Sequence, residues 1–203
     1  MTGDHLETEQ KYDADADFVL PELGGRRTAE PKRIYLSATY FDTDDLDLIR
    51  HKITLRRRVG GDDEGWHLKL PVRKDTRQEL HVPLDDGAPG SVPARFAAQV
   101  KDITAGHTLR PIAILDTERT VVPVAGPGGD ALAEVADDRV TAIRFGEPDS
   151  EPMIWREIEV EVMSSDSDSD GTALLETVGK TLREAGARPS ASGSKLARVL
   201  GTG

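Results

Sequence analysis

Apolar and polar residues alternate with period two through most of this chain, the spacing of strands that bury one face. The alternation predicts strands near 4–12, 34–41, 51–59, 65–71, 77–84, 111–123, 130–144 and 153–163. Gly-rich turn segments, "GGDDEG" at 60–65 and "AGPGGD" at 125–130, separate some of them. Helical spacing appears at 92–106 and in an amphipathic run over 171–186 that ends on Gly186, with a short helix expected over 14–23. The acidic run 164–171 reads as a loop, and the tail from Ala187 as irregular until "SKLARVL". Antiparallel strands with a few helices place the chain in the α+β class, as a β-barrel or curved sheet in a single domain over residues 1–203.

The polar faces of these strands are segregated by sign. In "ITLRRRVG" (53–60), Thr54, Arg56 and Arg58 share one face, while Ile53, Leu55 and Val59 share the other with Arg57. "REIEVEV" (156–162) puts Glu157, Glu159 and Glu161 opposite Ile158, Val160 and Val162. Near the N-terminus, Glu7, Glu9 and Lys11 alternate, with Leu6 and Tyr12 on the opposite side. His67 and Lys69 oppose Trp66, Leu68 and Leu70; Arg77 pairs with Glu79; Glu134 and Asp138 share a face; Arg119 stands alone in "TERTVV". One such strand would be an ordinary wetted face. Rows of cations matched elsewhere by rows of carboxylates instead predict strands that curl together around a lumen lined by both signs.

Composition narrows the partners. The net charge of −11 works against binding nucleic acid or an anionic membrane, since either would be repelled. The chain has no cysteine, which removes disulfides and thiolate chemistry. It has no apolar run of the ~20 residues a membrane helix needs, and its acidic start lacks a signal-peptide profile, so a cytoplasmic protein is expected. The candidate lumen residues are near charge balance, leaving almost all of the net negative charge elsewhere. Carboxylate oxygens suit Mg²⁺ or Mn²⁺, and arginine forks with lysine ammonium groups suit phosphate oxygens. Together they suit a metal–polyphosphate complex, whose chemistry needs positioning and charge neutralisation and no serine, cysteine or histidine nucleophile.

These residues resemble the CYTH superfamily, the triphosphate tunnel metalloenzymes. "ETEQK" (7–11) matches its opening Glu-x-Glu-x-Lys signature. "YFDT" (40–43), "LRRR" (55–58), "LKL" (68–70), "TRQEL" (76–80), "EVADD" (134–138), "EIEVEV" (157–162) and "SK" (194–195) follow in the family's order. The resemblance implies an eight-stranded antiparallel barrel forming a tunnel with a few flanking helices. It implies metal ligation by Glu7, Glu9, Asp138, Glu159 and Glu161, Asp138 being the late acidic residue. Lys11, Arg56, Arg58, Lys69, Arg119 and Lys195 would hold the triphosphate, and Arg77 and Glu79 would line the lumen too. Lys11, Arg56, Arg58 and Glu159 are the residues expected to carry catalysis. Which two of Glu157, Glu159 and Glu161 take the metal is left to the register, which favours 159 and 161.

The activity so implied is divalent-metal-dependent hydrolysis of a small triphosphate, with inorganic triphosphate favoured. A non-catalytic polyphosphate-binding module, a thiamine triphosphatase and an adenylyl cyclase are the alternatives. The chain is also similar to the CYTH half of bacterial CYTH–CHAD proteins. "GKT" at 179–181 is not read as a phosphate loop, because Leu174 stands where that motif needs glycine. The histidines have no zinc spacing, "YFDT" reads as a turn-shaping segment, and Trp66 and Trp155 read as packing residues.

Overall fold

The computed structural model describes residues 3–23, 30–73, 76–86, 90–125, 131–146, 151–163 and 169–202. Its strands are β1 (Gly3–Ala14), β2 (Lys32–Asp42), β3 (Thr54–Val59), β4 (Gly65–Arg73), β5 (Thr76–Val82), β6 (Arg110–Ala125), β7 (Ala131–Arg144), β8 (Met153–Val162) and the two-residue β9 (Arg188–Pro189). The helices are α1 (Asp47–Arg50), α2 (Ala94–Gln99), α3 (Lys101–Thr104), α4 (Ser169–Glu184) and α5 (Lys195–Leu200). Antiparallel neighbours run β5-β4-β3-β2-β6-β7-β8-β1, and β1 returns to β5 through Leu6↔Gln78 and Thr8↔Thr76, so the sheet closes into an eight-stranded barrel. Closure leaves no long free edge among the eight strands, which removes the usual aggregation hazard of a sheet.

Helices cover the outward apolar positions of β3 and β4 on one side and of β8 and β1 on the other. Leu55 and Leu68 pack with Trp66 and Phe41 under Phe96 and Val100 of the α2–α3 segment. On the far side, Ile158, Val160 and Val162 of β8 and Tyr12 of β1 pack against Leu174, Leu175, Val178 and Leu182 of α4. Gly179, in mid-α4, sits where a Cβ would lie 2.1 Å from the Tyr12 hydroxyl oxygen, so only glycine lets the helix approach β1 this closely. The "GKT" segment is therefore a packing site inside a helix.

Inside the barrel the pattern changes along its axis. At one end the inward residues are apolar: Ala38, Tyr40, Ala113, Leu115, Val140 and Ala142. Leu196, Ala197, Val199 and Leu200 of α5 pack against them, so the C-terminal helix fills that end from within. Ser194 caps α5 by accepting from Ala197 N at 3.0 Å, which aims Lys195, the first helical residue, toward the middle of the barrel. The remaining length of the lumen is charged.

Three expectations are corrected. Residues 15–23 contain no helix; the Arg156 guanidinium holds that segment against β8 instead, donating to the carbonyls of Ala16 and Phe18 at 3.2 and 2.5 Å. The helix expected over 92–106 is two short pieces, broken at Val100, where φ is −104° and ψ 7°. The acidic run expected as a loop to 171 is helical from Ser169, and 164–168 lie outside the described residues. "YFDT" does shape a turn: the buried Asp42 carboxylate accepts from Thr43 N, Leu48 N and Ile49 N at 2.7, 2.8 and 3.0 Å, capping α1.

Candidate active site in the barrel lumen

The register aligns the acidic strands. Glu9 of β1 lies opposite Glu161 of β8, which lies opposite Glu134 of β7. Two residues along, Lys11 faces Glu159, and after two more Glu157 faces Asp138, which faces Arg119 of β6. The cations come from the opposite wall: Arg56 and Arg58 on β3, Lys69 on β4 and Arg77 on β5, with Glu79 beside Lys69. All of these except Asp138 and Glu157 line one cavity of about 570 Å³ inside the barrel, and Lys195 reaches it from α5. Asp138 and Glu157 sit just behind, essentially without solvent access at 0% and 2% exposure. A second cavity of about 890 Å³ shares Glu9, Lys11, Thr54 and Arg77 with the lumen and runs under residues 189–194. Glu7 lies opposite Arg77 along the β1–β5 ladder, and its side chain is outside the described residues.

Salt bridges knit the acidic half together. Lys195 Nζ lies 2.8 Å from Asp138 Oδ2, 2.7 Å from Glu157 Oε1 and 2.8 Å from Glu159 Oε1. Arg119 donates twice to Asp138, at 2.7 and 2.6 Å, and once to Glu159 at 2.6 Å. Lys11 bridges Glu9, at 2.9 Å, and Glu159. Trp155 Nε1 donates to Glu157 Oε2 at 2.6 Å, so this indole is spent on holding a carboxylate. Asp137, next to Asp138, points the other way and pairs with Arg156 at 2.7 Å, as the strand phase requires.

Burial opposes the charges of Glu9, Lys11, Arg119, Asp138, Glu159 and Lys195, and the neighbours decide the outcome. Burial works to raise the Glu159 carboxyl, but Lys11, Lys195 and Arg119 outweigh it and hold it well below the usual range. Glu9 is likewise held down against burial, by Lys11 and Lys69. Lys195 is pushed well above the ordinary lysine value: burial opposes this, but Asp138, Glu157 and Glu159 prevail. Glu161 behaves differently. Burial raises its carboxyl, Lys69 opposes, and Glu9 and Glu159 add to the rise. No hydrogen bond or ion pair holds it among the described residues.

Asp138, Glu157 and Glu159 each offer an oxygen within 4.8 Å of the others, a grouping that could hold a metal. In this arrangement, however, the Lys195 ammonium bridges the three. Among the described residues, Glu161 lines the cavity without an ion pair, flanked by Glu9 and Glu159, which share Lys11; all three are hard oxygen donors of the kind Mg²⁺ or Mn²⁺ takes. Asp138, with both oxygens committed to Arg119 and Lys195, is placed to anchor the cations.

Glu161→Gln is expected to stabilise the metal-free protein at pH 7. The raised folded-state pKa means that the glutamate's contribution is favourable below its unfolded value and is lost as pH rises through the folded one. Removing the charge should add on the order of 1 kcal/mol, raising the melting temperature at pH 7 but not at pH 4. A drop in melting temperature at pH 7 would show that Glu161 is held by favourable contacts.

Sequence reasoning placed the turn between β3 and β4 but missed what one of its residues touches. Asp63, read only as part of a turn, pairs with Arg58, and its carbonyl oxygen lies 3.0 Å from His67 Nε2. Nothing in a Gly-Gly-Asp-Asp-Glu-Gly string marks one aspartate as folding back over a lumen. His67, which shares the strand phase of Lys69, is buried at 1% exposure, with Nδ1 against Glu79 Oε1.

The model of the CYTH domain matches residues 5–198. The chain belongs to the CYTH family. Two uncharacterised Mycobacterium tuberculosis proteins, from strains CDC 1551 and H37Rv, are 42% identical to it over 209 residues, which is 97% of this CYTH chain. The chain spans 40% of the length of those relatives. Among solved structures, a proposed adenylate cyclase from Bacillus halodurans superposes with a TM-score of 0.61 at 17% identity, covering 97% of this chain and 98% of the other. A proposed adenylyl cyclase from Hippeastrum with a dominant triphosphatase activity gives 0.60 at 15% identity, covering 97% and 96%. At such identities these likenesses speak for the CYTH barrel alone. No helix among the described residues is long and apolar enough to cross a membrane.

Proposed function

We propose that this CYTH protein hydrolyses a small triphosphate, inorganic triphosphate above all, with Mg²⁺ or Mn²⁺. The supporting observation is a lumen in which Arg56, Arg58 and Lys69 face Glu9, Glu159 and Glu161 across one cavity, with Arg119 set among the carboxylates. Arg56 and Arg58 take the phosphate oxygens as rigid forks, Lys69 and Lys11 act as point charges, and Lys195, Arg119 and Arg77 complete the anion site. Glu9, Glu159 and Glu161, with Glu7, would hold the metal, which when bound supplies charge neutralisation on the phosphate oxygens. A water oxygen bonds to the terminal phosphorus, the bridging P–O bond breaks with its electron pair leaving on the diphosphate, and a proton of the attacking water passes to solvent as orthophosphate forms. The residues accelerate this by fixing the chain in line and by meeting the developing charge with preorganised cations. Action in the cytoplasm by a single domain, and a place beside a CHAD partner, belong to the same reading.

Inorganic triphosphate is favoured because no tryptophan among the described residues faces the lumen to stack on an organic ring. Trp66 packs outward among Phe41, Leu55 and Leu68, and Trp155 lies under Arg198 with its N–H on Glu157. Among the described residues lining the cavity, the aromatic rings are Tyr40, His67 and His81. Tyr40 is packed in the apolar plug, and the two imidazoles lie against each other, tilted by 43° with centroids 4.7 Å apart.

A second reading, a binding module without turnover, draws on one observation: the tightest carboxylate cluster is bridged by the Lys195 ammonium. The test assays tripolyphosphate, ATP and thiamine triphosphate with each divalent ion, following phosphate and cyclic nucleotide. Phosphate release from tripolyphosphate, cut roughly 100- to 1,000-fold in Arg56→Ala, supports hydrolysis. Binding without turnover under any divalent cation supports the module, and cyclic product from ATP overturns both.

A further inference from the structure

Part of the outer barrel wall carries no helix among the described residues. Along the middle of β2, β6 and β7 and the start of β8, Tyr35 and Ile154 are 65% and 78% exposed, with Asp116, Glu118, Arg139 and Thr141 exposed between them. These six residues line one groove of about 460 Å³. A chain in which 31% of residues are charged has ample means of wetting a strand. An open isoleucine and an open tyrosine on the same groove therefore mark a contact surface. The charges between them are uncommitted. Glu118 and Arg139 stand directly opposite in the β6–β7 ladder, yet neither forms an ion pair among the described residues, and Asp116 forms none. The neighbouring outward arginine of β8 is spent by contrast, since Arg156 closes on Asp137 at 2.7 Å.

The layout of these side chains selects the occupant. Across the face the strands run β2, β6, β7, β8. One ladder row reads Tyr35, Glu118, Arg139, Arg156, and the next reads Ser37, Asp116, Thr141, Ile154. A two-fold axis lying on the face, parallel to the strands and between β6 and β7, keeps each row and reverses the strand order. It sets Glu118 of one copy against Arg139 of the other, twice. It also lays β2 over β8, with Tyr35 one row from Ile154 of the other copy. An axis across the strands would lay β6 on β6 and face Asp116 with Glu118, which repel. We propose that this face is an isologous contact between two copies of the chain, related by the axis along the strands. An acidic strand beside a basic one, flanked by apolar side chains on both outer strands, is complementary to its own rotated image. Two barrels meeting on convex walls bury less than the ~800 Å² per partner of a standard interface, so the dimer is weak, with a Kd on the order of 10 μM. None of these residues belongs to the proposed triphosphate site, and the contact stands or falls independently of the hydrolase reading.

The test is sedimentation velocity of the 203-residue chain from about 1 to 200 μM, a range that brackets a weak interface. Wild-type protein is expected to pass from monomer to dimer across that range. Ile154→Asp is expected to weaken the dimer at least about tenfold, by putting a charge against the Tyr35 side of the other copy, and Tyr35→Ser to weaken it in the same direction. Arg139→Glu is expected to weaken it about tenfold or more, because both copies then face Glu118 with a like charge. Adding Glu118→Arg to Arg139→Glu is expected to restore the dimer to within about threefold, since the pair is re-made in reverse. Lys180→Glu makes the same change in net charge as Arg139→Glu but on the exposed side of α4, and is expected to change the affinity by less than about twofold. Far-ultraviolet circular dichroism confirms that each variant is folded. Wild-type protein that stays monomeric throughout overturns the inference, whatever else the face binds. So do dimers that survive both Ile154→Asp and Tyr35→Ser, or that the double charge reversal fails to restore. Equal weakening in Arg139→Glu and Lys180→Glu overturns it as well, because net charge and not the pairing would then be responsible.

Discussion

Lys195→Met is expected to lower the unfolding free energy by about 3–5 kcal/mol at pH 7, the cost of breaking a buried ion pair from one side. At roughly 2–4 °C per kcal/mol for a chain of this size, the melting temperature should fall steeply. Methionine keeps most of the side-chain volume, so the loss reports charge and not a cavity. Without the ammonium, Asp138, Glu157 and Glu159 remain within 4.8 Å of one another, with Arg119 and Lys11 as the nearest cations. The pH dependence follows from the sign of the shifts. In the wild type, Asp138 and Glu159 are held below their ordinary values, so their stabilisation is present at neutral pH and lost on acidification. In the variant the same carboxyls repel one another, and protonation relieves them. The deficit relative to wild type should therefore shrink between pH 7 and pH 4. Millimolar Mg²⁺ or Mn²⁺ should raise the variant's melting temperature more than the wild type's, because a bound cation can do what the ammonium did. Thermal melts across that pH range, with and without the ion, decide it; a deficit that persists at pH 4 would mean that α5 packing, not charge, was lost.

Glu159→Gln is expected to abolish metal-supported hydrolysis of tripolyphosphate by at least about 100-fold. Glu159 is the acidic side chain shared by Lys11, Lys195 and Arg119, and it lines the cavity beside Glu161. An amide removes the charge that a divalent cation needs while leaving those three cations in place. Tripolyphosphate binding without metal should accordingly hold steady or tighten as turnover disappears. That divergence separates the variant from a general collapse, which would weaken both. If turnover survives within about tenfold of wild type, Glu159 has no part in holding the metal.

Much of this protein is legible in its sequence. Period-two alternation located all eight barrel strands to within a few residues, because each buries one face and the side-chain period of a strand is fixed by its pleat. The same phase separated Asp138 from Asp137, one inward on Arg119 and Lys195, the other outward on Arg156. The helix errors have physical causes too. Residues 15–23 hold apolar positions that look helical in sequence, but Phe18 is tied instead to Arg156, whose guanidinium lies 5.5 Å over its ring. The β9 pairing to Tyr12 and Asp13 is too short to leave a pattern.

By itself the sequence determined which residues lie on which face of each strand, and hence that rows of opposite charge exist. It could do so because local sterics impose that periodicity whatever the strand's neighbours are. Only the tertiary structure decided which rows meet: that Lys195 enters from the C-terminal helix to neutralise three carboxylates, that Glu161 has no ion pair among the described residues, and that Asp63 folds back onto Arg58. Those facts depend on strand order, barrel closure and the path of a tail and a turn. Contacts between residues more than a hundred positions apart, such as Lys11 with Glu159, are set by closure and leave no periodic trace in the chain.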